Sequence, residues 1–209
     1  MEQRKKTYYY DLGEETIRKA KETTPKPKLL LHTCCAVCAT VPLEKCAEAF
    51  DLTLYFNNSN IYPEREYDRR LNELRRYLTD HYPSVKLIVT PYQHEDYMKD
   101  LEEFKDSREG GVRCKKCYTK RMKEAYDYAE KHGFDFFSTV MTISRQKNSL
   151  VLNQIGEELS ESHPKTAYFY SDFKKNGGQD RSIELRNLNG LYQQTYCGCE
   201  YSVRDHTEH

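Results

Sequence analysis

Seven of the eight cysteines fall in three short clusters: Cys34-Cys35-x-x-Cys38, Cys114-x-x-Cys117 and Cys197-Gly198-Cys199. Thiolates are soft ligands suited to zinc and to iron–sulfur clusters. Cys114 and Cys117 are three apart at the expected start of a helix, which puts both side chains on one face. The helix dipole and the flanking Arg113, Lys115 and Lys116 favour the thiolate there. Cys34 and Cys35 are neighbours just past a strand end. Adjacent cysteines do not readily chelate one small tetrahedral ion, but they can reach two irons of a larger cluster. Four thiolates from the two loops would hold a [4Fe–4S] cluster. A zinc site of four cysteines is the alternative, and the vicinal pair favours iron–sulfur. Cys197-Gly198-Cys199 reads as a two-electron redox dithiol, with extra metal ligation as the alternative. Cys38 reads either as a ligand of a second metal beside the cluster or as a packed residue at a helix start. Cys46, beside Ala47 and Ala49, reads as a buried inert thiol.

These side chains need a scaffold, and the chain is long enough for one. Its 209 residues suit a single α/β domain. Lys+Arg and Asp+Glu are 33 each, so the molecule as a whole is no polycation and indiscriminate nucleic-acid binding is disfavoured. No stretch approaches the roughly 18 apolar residues of a membrane span. The N-terminus lacks a signal peptide's apolar core. A cytoplasmic setting follows as the expectation, and reduced cysteines there point to metal or redox chemistry, not to a disulfide framework.

Hydrophobic patterning predicts strands over 28–32, 52–56, 85–89, 134–140 and 166–170. It predicts helices over 11–23, 40–50, 64–81, 94–104, 114–132, 146–160 and 181–189. Strand and helix alternate. This predicts an α/β fold, a Rossmann-like, mostly parallel five-stranded sheet with helices on both faces. Residues 1–27 read as an N-terminal extension, 28–203 as the domain and 204–209 as a tail. Ligands of such sheets collect at the carboxyl ends of the strands. The loops 32–39, 57–62, 139–147 and 171–178 are therefore the candidate site loops. The first has no glycine, and neither GxGxxG nor GxxxxGK[ST] occurs in the chain. Phosphate binding is not expected at that edge, and metal chemistry takes the position.

Several segments in order resemble the QueH family of cobalamin-independent epoxyqueuosine reductases. They are Leu30-Leu31-His32-Thr33-Cys34-Cys35-Ala36, Phe56-Asn57-Asn58-Ser59-Asn60-Ile61-Tyr62-Pro63 and Arg113-Cys114-x-x-Cys117-Tyr118. To these are added Asp172-Phe173-Lys174-Lys175 with Arg181-Ser182, and Leu191-Tyr192-Gln193-Gln194-x-Tyr196-Cys197-Gly198-Cys199-x-Tyr201-Ser202. The resemblance spans residues 30 to about 203. It implies a fold related to the ATP pyrophosphatases of the HUP group, with the phosphate loop repurposed. The implied reaction removes the epoxide oxygen of epoxyqueuosine at the tRNA wobble position, the last step of queuosine formation. The implied partners are tRNA carrying epoxyqueuosine and an unidentified electron donor. The resemblance also implies a [4Fe–4S] cluster on Cys34, Cys35, Cys114 and Cys117, a redox-active Cys197–Cys199 pair and an additional iron. Cys38, Cys197 and Cys199 are the candidate ligands of that iron.

A modified base must be held by stacking and edge contacts. Asn58, Asn60, Tyr118 and Tyr196 are the candidates for the base, and Lys174 and Arg181 for phosphates. Further basic residues run from Arg113 to Lys123. Asp172 is the candidate catalytic proton donor, with His32 and Lys147 the other acid–base candidates. His32 is expected to orient the cysteine loop. The run Arg69, Arg70, Arg75 and Arg76, interleaved with acids, reads as a solvated helix face. A thiol–disulfide oxidoreductase and a zinc-stabilised tRNA-binding module are the competing functions.

Overall fold

The computed structural model describes residues 5–202; the expected tail 204–209 and the last domain residue 203 lie outside them. Five strands form one all-parallel sheet in the order β3-β2-β1-β4-β5. They are β1 (Lys28–His32), β2 (Asp51–Phe56), β3 (Lys86–Val89), β4 (Phe136–Thr139) and β5 (Ala167–Tyr168). The connecting helices are α1 (Tyr8–Glu22), α2 (Ala36–Cys46), α3 (Glu64–His81), α4 (His94–Lys99), α5 (Val112–Lys131), α6 (Ser149–Ser160) and α7 (Gly178–Leu188). Among the described residues, no helix is long and apolar enough to cross a membrane.

The sheet is buried on both faces, as parallel sheets are. Successive side chains of a strand point to opposite faces, so one strand feeds two cores. Leu29 and Leu31 of β1, with Leu52, Leu54 and Phe56 of β2, meet α1, α2 and α3. Leu30, Tyr55 and Phe137 meet Met122, Ala125 and Tyr126 of α5 and Leu152 of α6 on the other face. Two glycines mark close approaches: a Cβ on Gly156 would lie 2.1 Å from the Tyr168 ring, and one on Gly13 would lie 2.7 Å from the Tyr170 carbonyl oxygen. Gly13 belongs to α1, whose Ile17 and Ala20 join the same core as β1. The N-terminal helix is thus packed onto the domain through its apolar face.

The expected elements are present, with informative differences at their ends. α2 begins at Ala36, four residues before the helix expected from the sequence. Its cap is a cysteine: Cys38 N–H donates to Cys35 Sγ at 3.3 Å. Cys38 therefore stands in the first turn of the helix, and Pro42 in its interior. α6 begins at Ser149 instead of 146, because the Asn148 side chain accepts from Leu150 N–H at 2.9 Å. The helix expected over 94–104 is α4 followed by a separate 3-10 turn, Glu102–Phe104. A second 3-10 turn, Val140–Ile143, follows β4 directly.

The strand order reverses between β1 and β4, whose neighbours β2 and β5 lie on opposite sides. A crevice opens at such a switch point beyond the carboxyl ends of the strands. The first cysteine cluster leaves β1 there.

Candidate metal centre and active site

The Cys34 loop is short and tied to the sheet edge. Thr33 N–H continues the ladder onto Tyr55 O at 2.9 Å, and the chain turns into α2 within two residues. Ala36 and Ala39 are fully enclosed, so the first turn of α2 sits tightly on the sheet edge. This folds the sulfurs of Cys34, Cys35 and Cys38 to within 4.8 Å of one another. Cys38, which the sequence left between ligand and packing residue, belongs geometrically to this group. Gln194 Nε2 lies 3.6 Å from Cys35 Sγ.

Three crowded thiols share protons unequally. Hydrogen bonds from Cys35 and then Cys38 hold the Cys34 thiol well below its ordinary value, and Arg121 and Lys147 add to this. The contact with Cys34 pushes Cys35 up to about 12, and those with Cys34 and Cys35 push Cys38 well above its ordinary value. Cys34 is thereby favoured as the thiolate, and the other two would release their protons to solvent on binding a metal cation. Three convergent soft donors, two of them buried and Cys38 partly so, with Arg121 and Lys147 nearby, fit a thiolate-bound metal, and thiolate chemistry favours zinc or iron–sulfur over hard cations.

Cys114 and Cys117 lie in the first two turns of α5 and are buried. Each sulfur has a protein donor: Gly110 N–H at 3.2 Å from Cys114 Sγ, and the Tyr97 hydroxyl at 3.3 Å from Cys117 Sγ. Burial pushes both thiols up. They stand apart from the tight group of three. Cys197 acts electrostatically on both.

The Cys197-Gly198-Cys199 segment is strapped across the start of α3. Tyr62 N–H donates to Gly198 O at 2.7 Å, and the Tyr196 hydroxyl donates to Tyr62 O at 2.7 Å. Arg70 Nη1 donates to Cys197 O at 3.1 Å. Gly198 has φ +107°, in the left-handed region that only glycine takes without strain. Both thiols are free and partly buried, and burial pushes Cys199 up to about 12.

Arg70 corrects the reading of its helix. It is enclosed, not solvated, with 2% of its side chain exposed, and it pairs with the buried Glu66 at 2.7 Å. The Tyr192 hydroxyl donates to the same carboxylate at 3.0 Å. A line Tyr192–Glu66–Arg70–Cys197 thus ties the tail to α3. Arg70 and Glu66 are four apart, the spacing of an ordinary surface ion pair. Only the tail folding over them makes the pair internal.

A cavity of about 760 Å³ opens over the crevice, a size typical of small-molecule sites. Cys34, Cys38 and Cys197 reach its wall, as do Asn60, Tyr118 and Tyr196. Lys147 and Arg121 also line it. Burial alone would lower the Lys147 ammonium, but Cys197 and Cys34 outweigh it and hold the cation. Asn60 Oδ1 is buried with no hydrogen-bond partner among the described residues, as is Gln194 Oε1. Such orphaned acceptors suit a ligand that brings donors.

Other expected site residues have different placements. Asn58 is fully buried and spent on the scaffold: its amide donates to Thr33 O at 2.8 Å and accepts from Arg121 at 2.6 Å. Lys174 donates to Ser144 O and Lys147 O, clamping the loop that carries Lys147. Asp172 accepts from Ser149 at 2.8 Å and lies 3.9 Å from the Lys174 ammonium, outside the cavity wall. Arg181 pairs with Glu44 and Glu184. Arg113 is buried, donates to Lys105 O and stacks its guanidinium over Tyr201. His32 is completely enclosed; its Nδ1 faces Thr139 Oγ1 at 2.8 Å and its Nε2 faces Arg121 at 3.1 Å. A guanidinium only donates, so Nε2 accepts and the ring proton sits on Nδ1. Burial, then Arg121, lowers the imidazole well below its ordinary value, which keeps it neutral.

The sequence profile described as Epoxyqueuosine reductase QueH matches residues 29–205. The chain is 37% identical over 184 residues to the Epoxyqueuosine reductase QueH of Staphylococcus aureus, covering 85% of this chain and 76% of that protein. It is 33% identical over 208 residues to the protein of that name from Streptococcus pyogenes, covering 98% and 81%. The Thermotoga maritima protein of that name is 29% identical over 183 residues, covering 86% and 92%. On its sequence and on the order of its cysteine-bearing segments, the chain belongs to the epoxyqueuosine reductase QueH family.

Proposed function

We propose that this protein reduces epoxyqueuosine in tRNA to queuosine, using a thiolate-bound iron centre at the carboxyl edge of its sheet. The observation that carries the reading is the convergence of the Cys34, Cys35 and Cys38 sulfurs within 4.8 Å beside a cavity of nucleoside size, in a chain of this family. The reaction takes the epoxide, two electrons and two protons to an alkene and water. Cys34, Cys35, Cys114 and Cys117 are the proposed ligands of a [4Fe–4S] cluster, and Cys38 the proposed ligand of an additional iron. When bound, these groups supply one-electron transfer and a Lewis acid.

The remaining roles belong to the protein's own groups. Tyr118 and Tyr196 offer ring faces and Asn60 an amide to a base splayed into the cavity. Lys147 holds an ammonium in the same cavity wall as Cys34 and Cys197, where it can hydrogen-bond oxygen as negative charge develops on it. Asp172 acts on this lysine through Lys174, which clamps the carbonyl of Lys147. Oxidation of the Cys197 and Cys199 thiols to a disulfide releases two electrons and two protons, matching the demand of the reaction. An external donor then restores the dithiol.

The test is mass analysis of nucleosides from epoxyqueuosine-containing tRNA after anaerobic incubation with the protein and a reductant, alongside its iron, sulfide and zinc content. Queuosine is expected, from a brown, iron-loaded protein. A colourless preparation that binds only zinc and leaves epoxyqueuosine unchanged overturns the reading, in favour of a zinc-stabilised tRNA-binding module.

A further inference from the structure

Arg121 stands between the two cysteine-bearing elements. It follows Cys117 by four residues on α5, so its side chain projects from the same face of that helix. One terminal nitrogen, Nη2, reaches across to the β1 side, donating to Asn58 Oδ1 at 2.6 Å and to His32 Nε2 at 3.1 Å. His32 is two residues before Cys34, and Asn58 in turn holds the carbonyl of Thr33. A single guanidinium therefore cross-links the end of β1 to the middle of α5.

Its surroundings are unusual for a buried cation. Arg121 is 2% exposed. Its side-chain hydrogen bonds go to His32 and Asn58 and to no acidic side chain among the described residues, and its Nε has no hydrogen-bond partner there. Buried charges are ordinarily compensated by an opposite charge. Its two anchors here are neutral, since the amide carries no charge and His32 accepts the guanidinium through an unprotonated Nε2. It shares the cavity wall with the sulfur-bearing residues Cys34, Cys38 and Cys197, and Cys117 lies one helical turn before it on α5. A positive charge fixed in the low-dielectric interior without a carboxylate is a site built for an anion carried by those sulfurs.

We propose that Arg121 is a positioning residue: its guanidinium, seated on His32 and Asn58, is the fixed counter-charge of the thiolate-bound metal centre and sets its reduction potential. The assignment rests on the metal-centre reading given under the proposed function. Reduction adds one negative charge to the centre. A fixed cation favours the reduced form, so removing the cation lowers the potential. The neutral tautomer of His32 is part of the device, because it accepts from the guanidinium without cancelling its charge.

The experiment compares anaerobically prepared full-length protein with its Arg121→Lys and Arg121→Met variants. Iron and sulfide content are measured first, then the midpoint potential by mediated titration. Arg121→Met is expected to lower the ratio of reduced to oxidised centre at a fixed poise at least tenfold, about 59 mV for one electron. Arg121→Lys, which keeps the charge and loses the fork, is expected to stay within about threefold of the parent protein. Asn58→Asp sets a carboxylate against the guanidinium and is expected to shift the ratio in the same direction as Arg121→Met. Metal uptake by Arg121→Lys but by neither neutralised variant assigns the charge to assembly of the centre, a stronger form of the same role. A loaded Arg121→Met or Asn58→Asp protein with the parent's potential overturns the proposal. So does failure of Arg121→Lys to load, which makes shape rather than charge the requirement. Parent protein that takes up no redox-active iron overturns the metal-centre reading itself.

Discussion

Replacing Arg70 with methionine separates two readings of helix α3 by magnitude. If Arg70 and Glu66 were a solvated pair, the loss would be below about 1 kcal/mol. In the structure their side chains are 2% and 9% exposed, with Nε and Oε1 2.7 Å apart. Methionine fills much of the same volume but leaves the Glu66 carboxylate enclosed with the Tyr192 hydroxyl as its remaining side-chain partner among the described residues. Breaking a buried pair in this way costs about 3–5 kcal/mol. For a chain of this size each kcal/mol moves the midpoint by about 2–4 °C, so a fall in Tm of roughly 6–20 °C is expected. Glu66→Gln in the same chain removes the stranded charge, and the double variant is expected to recover at least about 1 kcal/mol relative to the sum of the singles. The assay is thermal unfolding of the four proteins at equal metal load, followed by circular dichroism. A second readout is local: Arg70 also holds Cys197 O, so Cys197 and Cys199 should react faster with a maleimide in Arg70→Met. A loss under about 1 kcal/mol, or a double variant that merely sums the singles, refutes the argument for a buried pair that anchors the tail.

Three further outcomes are expected. Gly198→Ala places a Cβ 2.9 Å from Arg70 Nη1 at φ +107°; a cost of about 1–3 kcal/mol and faster Cys197 labelling should follow, as read by calorimetry and mass spectrometry. In metal-free protein, Cys34 should be alkylated at a rate that stays high as pH falls through neutrality, because its thiol is held well below the ordinary value. Cys35, pushed up to about 12, should not react appreciably until strongly alkaline pH; peptide mapping after iodoacetamide treatment reads both, and identical pH profiles contradict the shared-proton picture. Cys199→Ser should abolish multiple turnovers on epoxyqueuosine tRNA while leaving the iron content unchanged, and full turnover in that variant removes the dithiol role.

The parallel α/β order was legible because it rests on local signals. Leu29 to Leu31, Leu52 to Phe56 and the helical spacing of Met122, Ala125, Tyr126 and Ala129 state their periods within a few residues. Even the ends of α3 follow from sequence, since its charges and apolar stripe stop together at His81. The start of α2 was not legible. A cysteine sulfur is an uncommon cap, so Cys35 accepting from Cys38 N–H carries no familiar capping signature. That one contact moved Cys38 from a loop into the thiol group.

By itself the sequence determined the fold class, the cysteine clusters and the family. These depend on residue identity, on spacing along one chain and on periodicity. Tertiary structure alone decided which of those residues share a space. It enclosed Asn58, diverted Lys174 and Arg181 to carbonyls and carboxylates, and left Asn60, Tyr118 and Tyr196 on the cavity wall. It also buried Arg70 beneath the tail and Arg121 between β1 and α5. The physical reason is that a charge's meaning depends on what covers it. Arg70 is covered by residues more than a hundred positions away, and no local pattern along α3 records their arrival.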